Sequence, residues 1–162
     1  ERPEIINDRS RIGDWEGDTI IGRERTKRIL THVERKTGYL LADKLEIVSA
    51  EIVAEKTAKH FRKLPQKKRW SITYDNGSEF SAHEKIEEEI KVSVYFANPY
   101  HSWERGTNEN TNGLLRQFFP KRSSFAIVSQ EDVDRAVKLL NRRPRKRLDY
   151  LTPFETFHCT SF

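Results

Sequence analysis

An α/β domain on a five-stranded mixed sheet, three strands antiparallel and two parallel, with helices on both faces, is predicted by three observations. Apolar and β-branched runs at 15–22, 28–35 and 39–45 follow one another through short turns, the pattern of an antiparallel meander. Two further compact runs, 70–74 and 92–97, are each reached through a segment of helical spacing, as parallel strands with helical crossovers require. No repeat or low-complexity linker interrupts the 162 residues, a length that suits one domain with a sizeable core.

Each element has a local reason. Residues 5–13 read as an irregular lead-in, and Trp15 to Gly22 as the first strand. Lys36-Thr37-Gly38 turns the chain between the second and third strands. Ser49 can cap a helix bearing Ile52, Val53, Thr57 and Phe61 at helical spacing, and Leu64-Pro65 ends it. Asp75-Asn76-Gly77 stops the fourth strand, and Ala82 to Glu89 forms a short acidic helix before the fifth. A polar helix is expected from Ser102 or Thr107 to Phe119, with Leu114, Leu115 and Phe118 as its buried stripe. Ser129 to Asp132 is a capping box that opens the last expected helix, ended by Pro144. The basic stretch 142–147 is the nearest thing to a linker, and Leu151-Thr152-Pro153-Phe154 returns to ordered-looking sequence.

Composition narrows the class. Charged residues make up 34% and hydrophobic ones 35%, but three Trp, five Tyr and nine Phe are spread along the chain, which argues for a polar-surfaced globule over a disordered tail. No apolar run approaches a membrane span and no signal peptide is visible, so a cytoplasmic protein is expected. The lone Cys159 offers neither an internal disulfide nor metal-ligand spacing, and the five His show no zinc pattern. The chain contains no Met and is expected to be an excised domain of a longer protein. Its net charge is +5, and the stretch Arg116 to Arg147 carries ten Lys and Arg against three acids, a placement that favours a polyanionic partner.

Three acids stand out. Asp14, Glu16 and Asp18 alternate along the first strand and so share one face; such a row needs solvent, as on an edge strand, or a neutralising cation. Asp75 ends an apolar strand, where ligands bind in sheets with helical crossovers, although Asp-Asn-Gly is equally a turn former. Glu109 lies on a helix face with Arg105, Asn112, Gly113 and Arg116, where an ordinary ion pair with Arg105 is the alternative. Together Asp18, Asp75 and Glu109 form an all-oxygen donor set of the kind that suits Mg²⁺ or Mn²⁺.

The motifs Trp15-Glu16-Gly17-Asp18, Thr73-Tyr74-Asp75-Asn76-Gly77-Ser78-Glu79-Phe80 and Arg105-Gly106-Thr107-Asn108-Glu109-Asn110-Thr111-Asn112-Gly113-Leu114-Leu115-Arg116-Gln117 resemble the signature of the DDE transposase and retroviral integrase superfamily, most closely insertion-sequence transposases of the IS-thirty type. The spacing from Asp75 to Glu109 and the tail around Leu140-Asn141-Arg142-Arg143-Pro144 fit that type as well. The match covers about Gly13 to Phe157. Arg122 stands where the family more often has Gly.

The resemblance implies a ribonuclease H-like fold and a single catalytic core domain over 1–162, without the helix-turn-helix region that recognises element ends. It also implies Asp18, Asp75 and Glu109 as catalytic metal ligands for two Mg²⁺ ions, with Mn²⁺ as substitute. The expected reaction is DNA cleavage at transposon ends followed by strand transfer into target DNA. DNA is the expected partner, and a homo-oligomer associated with the bacterial nucleoid the expected state. Asn112 and Arg116 are candidate phosphate contacts near the metals, and Arg142, Arg143, Arg145, Lys146 and Arg147 candidates for backbone attraction. Glu79 is read as orienting its loop. A nuclease of the same fold without strand transfer and a non-catalytic DNA-binding module are the alternatives.

Overall fold

The computed structural model describes residues 2–99 and 106–158. Five strands, β1 (Asp14–Ile21), β2 (Arg28–Glu34), β3 (Leu40–Leu45), β4 (Ser71–Tyr74) and β5 (Ser93–Phe96), form one sheet in the order β3-β2-β1-β4-β5. β1 is therefore central. It runs antiparallel to β2, which pairs antiparallel with β3, and parallel to β4, which pairs parallel with β5. The predicted mixed sheet is the observed one.

Alternation along β1 sends its residues to two different cores. Trp15 joins Leu30, Ile72, Val53 and Phe61 beneath α2 (Ala50–Phe61) and α3 (His83–Ile90). Ile20 joins Ile29, Leu40 and Leu115 beneath α4 (Gly106–Leu115) and α5 (Gln130–Asn141). Two caps form as the sequence predicts: the Ser49 hydroxyl accepts from the Ile52 amide, and Ser129 and Asp132 close a reciprocal capping box.

Gly17 has a specific packing reason. A Cβ there would stand 2.0 Å from Cε1 of Tyr74, whose ring lies across the strand and stacks on Phe80 at 4.1 Å. The Tyr74 hydroxyl reaches Nε2 of His32, the residue paired with Gly17 on β2, at 2.7 Å. A hydrogen-bonded aromatic bridge thus spans β4, β1 and β2 on the α2 side of the sheet.

Several expectations are corrected. A short helix, α1 (Glu4–Asp8), replaces the irregular lead-in, and α6 (Pro153–His158) follows the helix expected to be last. Phe157 of α6 lies 5.6 Å from Trp15, so the tail completes the α2-side core. In α4 the buried residues are Thr107, Asn108, Thr111 and Leu115, with Leu114 and Phe118 only partly buried. The reason is geometric: the first half of α4 covers polar side chains of β1, and only its end reaches apolar ones. The expected start at Ser102 lies outside the described residues. Arg122 has φ 68, the left-handed conformation that favours glycine, the residue the resemblance leads one to expect there.

His32 is fully buried, and burial depresses its imidazole to about 3 from an ordinary 6.5. Between those values the unfolded chain binds a proton that the folded chain refuses, so stability is complete above pH 6.5 and declines on acidification. The decline attributable to this residue is about 1.4 kcal/mol per pH unit. His32→Gln, which keeps a polar group for Tyr74, should flatten the pH dependence of urea unfolding between pH 4.5 and 6.5. An unchanged slope would contradict the assignment.

Candidate active site

The α4-facing carboxylates of β1 meet different fates. Asp14 is fully buried, takes two hydrogen bonds from Arg11 at 2.9 and 3.0 Å, and accepts from the Ser71 hydroxyl at 2.7 Å. Glu16, also fully buried, pairs with Arg35 at 2.9 Å and accepts the backbone amide of Asn108 at 3.2 Å. Burial pushes the Glu16 carboxyl upward, opposed by the Arg35 guanidinium and the Asn108 amide. The row is therefore neither a solvated edge nor wholly a cation site. Two of its three members are neutralised by arginines, and the third stands at the surface.

That third member is Asp18. It is half-buried; its Oδ1 accepts the Thr19 amide at 2.8 Å and its Oδ2 accepts the Asn112 side-chain amide at 3.0 Å. The Thr31 hydroxyl, on the cross-strand partner of Asp18, lies 3.3 Å from the Asp18 carbonyl and 3.4 Å from the Asn112 amide oxygen. Asn112 thus binds α4 to the strand at the point where the acid row opens.

Asp75 follows β4 directly. The parallel register matches Glu16 to Thr73; carried two residues further it sets Asp18 and Asp75 toward the same end of β1 and β4. Oδ1 of Asp75 accepts the Gly77 amide at 2.9 Å, so the turn-forming role is realised in the structure. A Cβ on Gly77 would meet Glu79 Oε2 at 2.4 Å and Asp75 Oδ1 at 2.9 Å, which shows both carboxylates leaning on that glycine. Glu79 in turn accepts from the Thr19 hydroxyl and from Arg28, each at 3.2 Å. Thr19 and Arg28, which sequence reasoning overlooked, thereby tie the loop after β4 to β1 and β2; their only sequence signal is adjacency to the first acid and to the second strand.

Glu109 is exposed on α4, three residues before Asn112 and so on the same side of the helix. Its expected neighbour Arg105 lies outside the described residues. The structure joins Asn112 to Asp18 by a hydrogen bond, sets Asp75 just after β4 at the same end of the sheet, and leaves Glu109 exposed on α4. Among the described residues, no three of His, Cys, Asp and Glu stand close enough together to hold a metal ion.

The basic candidates are dispersed. Arg116 is half-buried, donates to the carbonyls of Ile21 and Phe119, and lies over the Phe125 ring, an arrangement that fastens the end of α4 to β1. Arg142 stacks on Phe154, Arg143 reaches Gln117, and Arg145 and Arg147 donate to the carbonyls of Leu140 and Lys36. Lys146 is exposed. The stretch 142–147 is ordered packing between α5 and α6, not a linker.

No family model matches the chain. It is 46% identical over 157 residues to the transposase for insertion sequence element IS4351 of Bacteroides fragilis, covering 97% of this chain and 48% of that protein. By sequence the chain is a relative of the insertion-sequence transposases. Against the transposase for element IS30A of Escherichia coli K12 this transposase relative is 40% identical over 155 residues, covering 96% of the chain and 40% of that protein. The chain spans less than half the length of the curated relatives it matches first.

Its fold is that of the bovine immunodeficiency virus (BIV) integrase catalytic core, with TM-score 0.69 at 19% identity over 89% of this chain and 92% of the other. A simian T-cell lymphotropic virus intasome chain superposes with TM-score 0.73 at 17% identity, over 91% and 55%. The ribonuclease H-like fold expected for this transposase relative is thus the one it has.

The buried pair defines a stability test. Arg35→Met leaves Glu16 unpaired in the interior and should cost about 3–5 kcal/mol in denaturant unfolding. Glu16→Gln/Arg35→Met removes both charges yet keeps an acceptor for Asn108, and should recover most of that loss. Equal destabilisation in the single and double variants would refute the pairing.

Proposed function

We propose that this chain is the catalytic core domain of a DNA transposase that cleaves phosphodiester bonds at transposon ends and joins them to target DNA. The observation that supports this most is the Asn112 to Asp18 contact, which seats the helix of Glu109 on β1 beside Asp75. The sequence relatives are named as transposases, and that naming is the ground for preferring strand transfer over simple hydrolysis.

The donor chemistry fits a hard divalent ion. Asp18 and Asp75 are half-buried oxygen ligands, and Mg²⁺ is commonly held by one or two carboxylates together with substrate phosphates. A preformed cluster of three carboxylates is therefore not a requirement. Asp18 and Asp75 would hold the ions, and Glu109, exposed on the adjoining helix, would complete the set. Held there, Mg²⁺, or Mn²⁺ in its place, would supply Lewis-acid stabilisation of the charge that develops on a phosphodiester. Asn112 keeps Asp18 oriented by donating to Oδ2. Glu79, held by Arg28 and Thr19, keeps the Asp75 loop against the sheet. Neighbouring basic residues attract the DNA backbone. In the cell the domain would act as part of a longer, oligomeric protein on chromosomal DNA.

Two measurements test this reading. Saturating Mn²⁺ should stabilise the domain by mass action, by about 2.7 kcal/mol at one hundred times its dissociation constant, and Asp75→Asn should remove the effect. With pre-cleaved ends and target DNA, the full-length protein should give joined products, and Asp18→Asn, Asp75→Asn or Glu109→Gln should lower their yield by about 10³-fold, roughly 4 kcal/mol of transition-state stabilisation. Hydrolysis without joined products would support the nuclease reading instead.

A further inference from the structure

At the end of β1 that carries Asp14, away from Asp18, a cavity of about 440 Å³ opens between the first turn of α4, the β2–β3 turn and the segment following α5. Three arginines, Arg9, Arg145 and Arg147, line it together with Thr37, Thr107 and Thr111; no acid is among the described lining residues. Of the buried acids on β1 and β2, Glu16 is engaged with Arg35, and Glu34 with the hydroxyl and amide of Thr37.

One donor in this cavity lacks a partner among the described residues. Nε of Arg145 is buried without a hydrogen bond, whereas the hydroxyl of Thr107, a residue only 7% exposed, is turned to the Glu16 carboxylate. Native structures rarely leave buried polar groups unpaired, because each costs about 1–3 kcal/mol. Burial and the neighbouring guanidiniums lower the pKa of both Arg145 and Arg147, with Glu34 opposing the shift at Arg147. A carboxylate offers two acceptor oxygens, whereas a phosphate offers more and is matched bidentately by arginine.

We infer that this cavity is a binding site for a phosphate group, held by Arg9, Arg145 and Arg147. The assignment builds on the proposed function, because a phosphate of a nucleic-acid strand is one source of the ligand and free phosphate the other. The site is separate from the carboxylates at Asp18 and Asp75. It fixes one phosphate at a defined place along α4, and so sets the register of a bound strand relative to Glu109 on the same helix.

The test is made with the full chain in EDTA, so that the carboxylate site is silent. Arg9 has φ 52, so Arg9→Asn removes the charge with a residue that tolerates the left-handed conformation; Arg142→Gln removes an equal charge outside the cavity. By fluorescence anisotropy on labelled duplex DNA between 50 and 200 mM salt, Arg9→Asn should weaken binding by about tenfold and reduce the salt slope by about 0.9, the value of one phosphate contact. Arg142→Gln should weaken it by about threefold or less.

In a second arm, inorganic phosphate at matched ionic strength should raise the melting temperature of the wild type but not of Arg9→Asn. A response in the DNA arm assigns a strand phosphate, and a response in the phosphate arm alone assigns free phosphate. Equal weakening by Arg9→Asn and Arg142→Gln, with phosphate stabilisation unchanged in Arg9→Asn, overturns the site. That result with strand joining intact rejects the cavity and spares the proposed function; a responsive cavity without joining does the reverse.

Discussion

The buried carboxylate of Glu16, clamped between the Arg35 guanidinium and the backbone amide of Asn108, is the constraint on which the site's geometry rests. A carboxylate at full burial tolerates little freedom in its partners, because losing one leaves a charge uncompensated in a medium of low dielectric. The amide it requires comes from the first turn of α4, so the helix can sit on β1 in only one register. With Asn108 over Glu16, Asn112 arrives one turn later over Asp18, two residues further along the strand. The acid row and the helix thus advance together, and Glu109 is carried to the same end of the sheet.

The other side of β1 supplies the second half of that geometry. Gly17 leaves room for the Tyr74 ring, and the bond from Tyr74 to His32 holds the end of β4 against β1 and β2. Asp75 is the next residue after Tyr74, so the packing that aligns the strands also places the acid. The loop that follows is fastened again through Glu79, Arg28 and Thr19. The chemistry-bearing residues therefore sit at strand ends and on one helix face, while the parts that fix them lie deeper.

Much of this was legible in the sequence. Period-two runs and their turns mark the meander, Ser49 and Ser129 mark two helix starts, and the three acids stand in motifs too long for coincidence. What could not be read were partners distant in the chain. The carboxylate row looked like a single problem needing solvent or metal, yet Arg11 and Arg35 neutralise two of its members. No local pattern announces that. The buried stripe of α4 is legible only in part for the same reason: apolar periodicity finds Leu115, with Leu114 and Phe118 packed beside it, but cannot show that Thr107, Asn108 and Thr111 are buried as well. Nor could the basic run reveal that Arg142, Arg145 and Arg147 also make aromatic and carbonyl contacts within the fold.

The claim that most needs testing is that Asp18 and Asp75 form the floor of one divalent-ion site. Anomalous diffraction from Mn²⁺-soaked crystals addresses it directly. The account predicts a manganese peak bonded to a carboxylate oxygen of each residue at about 2.0–2.2 Å, the range for hard-cation oxygen ligands. Manganese bound only elsewhere, for instance at Glu79 or the acidic face of α3, with Asp18 still engaged by Asn112, would contradict it.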